Sequence, residues 1–471
     1  MAARVSGSGY DVIVVGGGPI GLSAAYHCAV KEGKKVMVIE QYNFGNTHGS
    51  SPGFGRQFRI CYSELYLCKL AIESSKEWDE LMKDLNDNSL LERTGCLWFG
   101  DATVKSSEGN IYEAVKNLKM LSQPYDLLEG KEQIQSDERF SFISDAVNDM
   151  EKPKALFVKD GGPINVPGLI EGLNRMLKSS GNADLIENAF VKCIDYSLDD
   201  EVRVWIGQQP QYIRTKKVIL TPGTYVNHVL SSLTPTFKER INLTIYLWSS
   251  IYFKSKEVSR TLSSVSGSSN KWPIWYFFGQ PKENDLNCYY GFPSETKRPN
   301  YARVAPAFTS NERFDFDLYP PDACSRPLDK DALQFTSDFV KKSMPSLDPK
   351  LTNDEPSTCV AGFAESCKED DNGVGFVLDF LPGENINDRI VVFTGGWAMK
   401  FVPVIGKILK DLAIRGKTTP LYSQLIKPMR IDRGVLLTEN AIANIKSQQP
   451  VKGNNLQRAA IFNKIWLAGP P

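Results

Sequence analysis

The chain has 471 residues, 42% hydrophobic and 23% charged, enough to bury a large core and to divide into two domains. Its 55 basic and 55 acidic residues balance, which removes any electrostatic case for nucleic acid or an anionic membrane as partner. Nine cysteines without a C-x-x-C pair, and three histidines in all, argue against a zinc site and against a disulfide framework.

The opening MAARVSGSGYD lacks the basic and apolar regions of a secretory signal, and the closing AGPP is no S-K-L peroxisomal address. A reduced cytoplasmic setting is therefore expected. The stretch Val12–Val30 contains no Asp, Glu, Lys or Arg, but its GGGPIG centre would interrupt a membrane helix. It reads instead as a β-branched strand, Tyr10–Val15, then Gly16-x-Gly18-x-x-Gly21, then a helix stopping at Gly33. A second strand, KVMVIE, ends in Glu40. In this order Gly16 permits a tight turn, Gly18 lets backbone approach a pyrophosphate, and Gly21 lets helix and strand pack closely. The diphosphate meets free N–H groups at the positive end of the helix dipole, with Glu40 on the ribose hydroxyls. Pro19, Ile20 and Gln41 are expected beside these contacts. No second G-x-G-x-x-G follows to hold a nicotinamide cofactor, which favours FAD reduced directly by a substrate.

After a polar loop, Tyr42–Arg59, helical periodicity covers Leu65–Leu85, and weak strands are expected over about residues 90–150. The block GGPINVPGLIEGLNRML (161–177) reads as a loop and an amphipathic helix, NAFVKCIDY and VRVWIG as a hairpin, and TKKVILTPGTYV as a buried strand ending in a glycine turn. Aromatic strands between polar loops over 231–350 suggest an antiparallel sheet. The segment 389–416 returns to strand and helix, and beyond about 430 only TENAIANIK suggests a short helix. The expected fold is α/β: a discontinuous Rossmann-like FAD-binding domain (1–85, 152–230, 356–430), an antiparallel-sheet substrate domain (86–151, 231–355) and a C-terminal extension (431–471).

Five motifs carry a resemblance: GGGPIG, THGSSPGFGRQFR, YYGFPS, MPSLDPKLTNDEPSTC and GGWAMKFVPVIGKIL. Together they resemble the sarcosine oxidase group of FAD-dependent amine oxidases, which includes N-methyltryptophan oxidase and pipecolate oxidase, within the D-amino-acid-oxidase-like class. The match runs over about 8–425 in preserved order. It implies that Gly16, Gly18, Gly21 and Glu40 hold the ADP half of FAD, that Val191 lies near the adenine and that Arg56 sits against the isoalloxazine. Ser50, Thr221, Gly223, Gly395 and Gly396 are expected among the cofactor contacts. Arg59 and Lys400 would clamp a substrate carboxylate, a pairing that offsets its desolvation. Lys400 also stands where a cation opposes a helix dipole, so a capping role is the poorer account. Tyr290 would line the substrate cavity; Tyr289 and Tyr290 alternate across a strand, so one should be core and only the other can face a ligand.

The resemblance also implies a flavin linked through cysteine. Spacing from Met344 makes Cys359 the expected attachment point, with Cys367, spaced toward the FVLD strand, and non-covalent FAD as the alternatives. The implied reaction passes hydride from a carbon next to nitrogen to the flavin, giving an imine that water hydrolyses, with hydrogen peroxide from oxygen. The expected substrate is an amino acid or secondary amine bearing a carboxylate, with no metal, and the chain a monomer or small homo-oligomer. The rivals are an FAD-dependent dehydrogenase with another acceptor and a flavin-binding protein with catalysis lost. The family's oxygen-activating lysine aligns with Arg303, with Lys297 as a poorly spaced substitute; arginine keeps the charge but cannot deprotonate. Ala361, Trp397 and Pro52 also depart from the family, suggesting a reshaped cavity and a substrate larger than sarcosine.

Overall fold

The computed structural model describes residues 9–441 apart from 107, 208, 257–271, 283–285, 296–297, 308–329, 352–356, 367–374, 384–385 and 387. Cys367, Lys297 and most of the TENAIANIK segment lie outside the described residues.

The chain opens with β1 (Tyr10–Val15), α1 (Pro19–Tyr26), β2 (Val36–Ile39), β3 (Gly55–Arg59), α2 (Leu65–Leu85) and β4 (Cys96–Gly100). There follow α3 (Ile111–Met120), β5 (Asp126–Glu129), α4 (Lys131–Ser136), β6 (Lys154–Val158), β7 (Gly161–Asn165) and α5 (Val166–Ser180). Next come β8 (Ala183–Ile186), β9 (Val191–Asp195), β10 (Val202–Ile206), β11 (Ile213–Leu220), α6 (Val226–Leu230), β12 (Leu233–Thr234) and β13 (Arg240–Ile241). The last third holds β14 (Leu243–Lys254), β15 (Ile274–Phe278), β16 (Cys288–Phe292), β17 (Tyr301–Pro306) and α7 (Lys330–Ser343). It closes with β18 (Ser357–Ala364), β19 (Val377–Phe380), β20 (Ile390–Thr394), α8 (Val402–Arg415) and β21 (Leu436–Leu437).

Two large sheets organise these elements. In the first, β8, β2, β1, β11 and β20 run parallel, with the fully buried runs VIVV and VMVI at its centre. The antiparallel hairpin β9–β10 joins the first half of β11, which leaves its second half for β20. The second sheet has the order β18-β14-β17-β16-β15-β4-β6-β5 and is mostly antiparallel, although β15 and β4 run parallel. A short ribbon, β3 with β7, stands apart from both, with Arg59 opposite Gly161. The α/β class expected from the sequence is therefore the one observed.

Several local expectations change. The region 90–150 contains α3 and α4 besides its strands; Asn110 caps α3 by accepting from the Tyr112 and Glu113 amides. The GGPIN stretch expected as loop is strand β7, and α7 was not anticipated. Sheet membership also cuts across the expected division: β6 and β18 pair within the second sheet, whereas β12 pairs with β9 in the first. The cause is reach. The twelve-residue β14 spans far enough to pair with β18 at one end and β17 at the other, so β18 continues the second sheet before β19 and β20 re-enter the first.

Candidate active site

One continuous cavity of about 460 Å³ runs between the two sheets. Gly16, Gly18, Pro19, Ile20, Glu40, Gln41, Ser50, Arg56, Val191, Thr221, Gly223, Cys359, Gly395 and Lys400 line it, as do Arg59, Tyr290 and Arg303. Gly21 and Gly396 do not. A side-chain carbon on Gly21 would stand 2.0 Å from the Gly16 carbonyl oxygen, so this glycine serves the close helix–turn approach. One on Gly396 would meet the Phe363 ring at 2.9 Å, behind the cavity wall.

At one end the wall is mainly backbone. Gly16 has φ of 102°, and a side-chain carbon there would fall 2.4 Å from the Thr221 carbonyl oxygen. Gly18 is the N-cap of α1, makes no side-chain cap, and has nothing within 4 Å of where a Cβ would stand. Pro19 follows at the first helical position, and no acid in the first turn competes for the free amides there. Glu40 is buried; its Oε2 accepts from the Gly17 amide at 2.8 Å and its Oε1 from the Tyr42 amide at 3.0 Å. Asn46 Nδ2 also donates to Oε1 at 3.3 Å, and the carboxylate keeps acceptor capacity beyond these three bonds, which leaves it able to take a hydroxyl. This cradle, open where a Cβ would otherwise stand, fits the pyrophosphate and ribose of FAD.

Arg56 lines the middle of the cavity and is held by its own loop. Its guanidinium donates to the Gly55 carbonyl at 2.8 Å, Ser50 at 2.9 Å and Pro52 at 2.7 Å. Cys359 is half-buried on β18 opposite Trp248 of β14, with its face toward the same space.

The far end is built from side chains. Arg59, 2% exposed, closes β3; its Nε donates to the Cys61 carbonyl at 3.2 Å and its guanidinium lies over the Tyr62 and Trp98 rings. Its Nη2 makes an ion pair with Glu108, a residue that the sequence alone did not single out. Burial opposes the charge on Arg59, but Glu108 holds its pKa above the ordinary value. Lys400 is fixed through its backbone: its carbonyl accepts from Ser74 Oγ at 2.6 Å and Trp78 Nε1 at 3.0 Å, both on α2. Its Nζ lies 5.6 Å from the centre of the Tyr62 ring, and no carboxylate ion-pairs with it among the described residues. Burial first, and then the Arg59 charge, bring its pKa down to about 7. The two cations expected from the sequence as a clamp differ in their surroundings. Both cations reach the cavity, but Arg59 already carries a counter-ion.

Arg303 departs further from a free cation. On β17 it lies 3.6 Å from the centre of the Phe292 ring and donates through Nη2 to the Gly55 carbonyl at 2.7 Å. Glu295 stands 3.6 Å away and also accepts from the Tyr252 hydroxyl at 3.0 Å. Glu295 follows YYGFPS directly, and an acid at the end of so apolar a strand was the available signal for it. Glu108 had none: it is one acid in a polar loop, brought to Arg59 by tertiary folding. The alternation of Tyr289 and Tyr290 resolves as expected. Tyr289 stacks on Phe339 at 4.2 Å in the core, while Tyr290 faces the cavity with its pKa pushed up to about 12 by burial. Trp397 also reaches the cavity, from a left-handed backbone with φ of 60°, and packs edge-on against Trp248 at 5.6 Å and Phe363 at 4.6 Å. Among the described residues no group of His, Cys, Asp and Glu is arranged to hold a metal, and no helix is long and apolar enough to cross a membrane.

Comparison with known proteins agrees with this geometry. A Dictyostelium discoideum protein named as a bifunctional amine oxidase is 30% identical over 95% of this chain, which spans only 39% of that longer protein. Monomeric sarcosine oxidase of Arthrobacter sp. (strain TE1826) is 26% identical, over 87% of this chain and 93% of its own. Among solved structures, the open form of NikD, described as an unusual amino acid oxidase essential for nikkomycin biosynthesis, superposes with a TM-score of 0.72 at 28% identity. That superposition covers 88% of this chain and 96% of NikD. The DAO family of FAD dependent oxidoreductases matches residues 11–412. With the dinucleotide turn and the long cavity in place, the chain belongs to the DAO family of FAD-dependent oxidoreductases.

Proposed function

We propose that this protein oxidises the C–N bond of an amino acid or N-alkyl amino acid, giving an imine that water hydrolyses, with oxygen taken to hydrogen peroxide. The observation that carries the reading is that Arg59 and Lys400, two buried cations, face the same cavity as the Gly16–Gly18 turn. FAD supplies the two-electron acceptor. The chain's own work is placement. Arg59 and Lys400 hold the substrate carboxylate, and Tyr290 and Trp397 wall the reacting carbon. Gly16, Gly18 and Glu40 hold the nucleotide half of FAD, and Arg56 and Cys359 lie along the remainder, with Cys359 as the covalent attachment point.

The relatives named as amine, sarcosine and amino acid oxidases support the class of substrate. Anaerobic mixing of the yellow holoprotein with a panel of amino acids and N-methyl amino acids tests it: bleaching of the flavin is expected, and none across the panel rejects the reading. Acid precipitation tests the linkage. Colour retained in the pellet by wild type and released by Cys359→Ser is expected; colour released by wild type rejects attachment. A second reading, a dehydrogenase with another electron acceptor, is favoured by the Glu295 carboxylate that offsets the charge of Arg303. Oxygen consumption by the substrate-reduced protein separates the two.

A further inference from the structure

The cation that should receive a substrate carboxylate is already paired, and how it is paired bears on the kind of substrate admitted. Glu108 lines the cavity on the wall that carries Arg59, and its side chain is largely buried. Its Oε2 is on the Arg59 guanidinium; no partner for Oε1 is present among the described residues. The backbone beneath it is fixed at both ends. The Glu108 amide donates to Ser106 Oγ at 3.1 Å, and that hydroxyl accepts from the Tyr276 hydroxyl at 2.9 Å. On the other side Gly109 has φ of 110° and leaves no room for a Cβ against Ser63, whose hydroxyl takes the Asn110 amide at 2.7 Å. With the loop anchored this closely on both sides of it, Glu108 is a placed group rather than a surface carboxylate.

Charge accounting then constrains the ligand. A bare carboxylate entering beside Arg59 would put two carboxylates against one buried guanidinium, the other cations at that end being Lys400 and Arg303, of which Arg303 is already paired with Glu295. Like charges in a dry site cost more than the added attraction returns. A ligand carrying both signs avoids this, because its cation can take up the carboxylate that its anion displaces.

We propose that Glu108 is the ammonium-binding residue of the site: the substrate enters as a zwitterion, its carboxylate replacing Glu108 on Arg59 while its protonated amine pairs with the Glu108 carboxylate. The inference rests on the amino acid reading above and deepens it. It selects free amino acids and N-alkyl amino acids, and it rejects N-acyl amino acids and simple carboxylic acids, which leave Glu108 displaced and unpaired. The exchange makes no bond and transfers no electron. It places the amine nitrogen at the Glu108 side of the carboxylate.

Two ligands of one shape isolate the charge: trimethylglycine and its carbon analogue tert-butylacetate, neither of which offers a nitrogen lone pair for oxidation. Binding to the holoprotein is read by calorimetry and by perturbation of the flavin spectrum. Wild type is expected to prefer trimethylglycine by about tenfold or more, the scale of one charge-assisted contact. Glu108→Gln is expected to lose that preference and to bind tert-butylacetate about tenfold more tightly, since Arg59 no longer has a partner to surrender. Glu108→Asp, which keeps the charge, should restore most of the preference, an outcome that a role in folding alone does not predict. Equal binding of the two ligands by wild type overturns the proposal even if Glu108→Gln fails to fold. A preference unchanged in Glu108→Gln overturns it too, while carboxylate binding by Arg59 and Lys400 stands. If neither ligand binds wild type, the carboxylate clamp falls with it.

Discussion

At the Gly16 end the cavity wall is mainly main chain with the Glu40 carboxylate, set largely by one strand–turn–helix–strand unit backed by Thr221. At the Lys400 end it consists of side chains from the β3 ribbon, the loop before α3, the second sheet and the turn before α8. At the first end Gly16 and Gly21 admit no side chain, because backbone hems them in, whereas Gly18 stands open. The second tolerates size more readily but depends on charge: each cation there has its own arrangement, Arg59 with Glu108, Arg303 with Glu295, Lys400 with none among the described residues. Geometry governs one end and ionisation the other.

The largest effects should break the first end. Gly16→Val forces a branched side chain into the Thr221 backbone at a positive φ and should prevent folding to the soluble holoprotein. A Cβ at Gly18 meets nothing within 4 Å, so Gly18→Val should still fold yet stay colourless when FAD is added. Retention of FAD by Gly18→Val would show that the diphosphate lies elsewhere.

Next come the charges. Arg59→Ala leaves Glu108 in a buried setting without its partner and should cost about 3 kcal/mol in denaturant unfolding. Pairing Arg59→Met with Glu108→Leu should recover most of that stability and none of the carboxylate affinity. The double variant thereby separates stability from function.

Lys400 gives a smaller, pH-dependent effect. Its folded pKa of about 7 lies below its ordinary 10.5, so between these values the unfolded chain binds more protons. Wild-type stability contributed by this group therefore rises with pH across that window, and below about pH 7 its burial costs most. Carboxylate affinity runs the other way, falling by up to about tenfold per pH unit above the folded pKa as the ammonium is lost. Lys400→Met should flatten both profiles. The smallest effect is expected from Glu295→Gln, which leaves the Arg303 charge without its counter-ion and should raise the rate at which reduced protein consumes oxygen by a few-fold.

The same contrast explains what the sequence could disclose. The dinucleotide turn, Glu40, helix α2 and the β20–α8 return were legible because their determinants are contiguous: a glycine spacing, an apolar period, a terminal acid. Arg59, Arg303, Tyr290 and Lys400 were reached only through resemblance, and the structure does bring all four to one cavity. Their partners were not reached. Glu108 has no local pattern, and the membership of β18 in the second sheet depends on the length of β14 and on which strand edge is left unpaired. Helix α3 was missed because its Asn110 cap sits in a stretch whose mixed polarity resembles weak strand.

Helix α8 begins two residues after Lys400 and lies across α1 at a point where a single methyl group would not fit, Gly406 facing Ser23 with a Cβ position 2.2 Å from its hydroxyl oxygen. That close approach makes the interval from the N-terminus of α1 to the Lys400 ammonium a gauge set by helix packing. Ligands of different length must be accommodated by the walls, and a bulkier residue at 406 would lengthen the gauge itself.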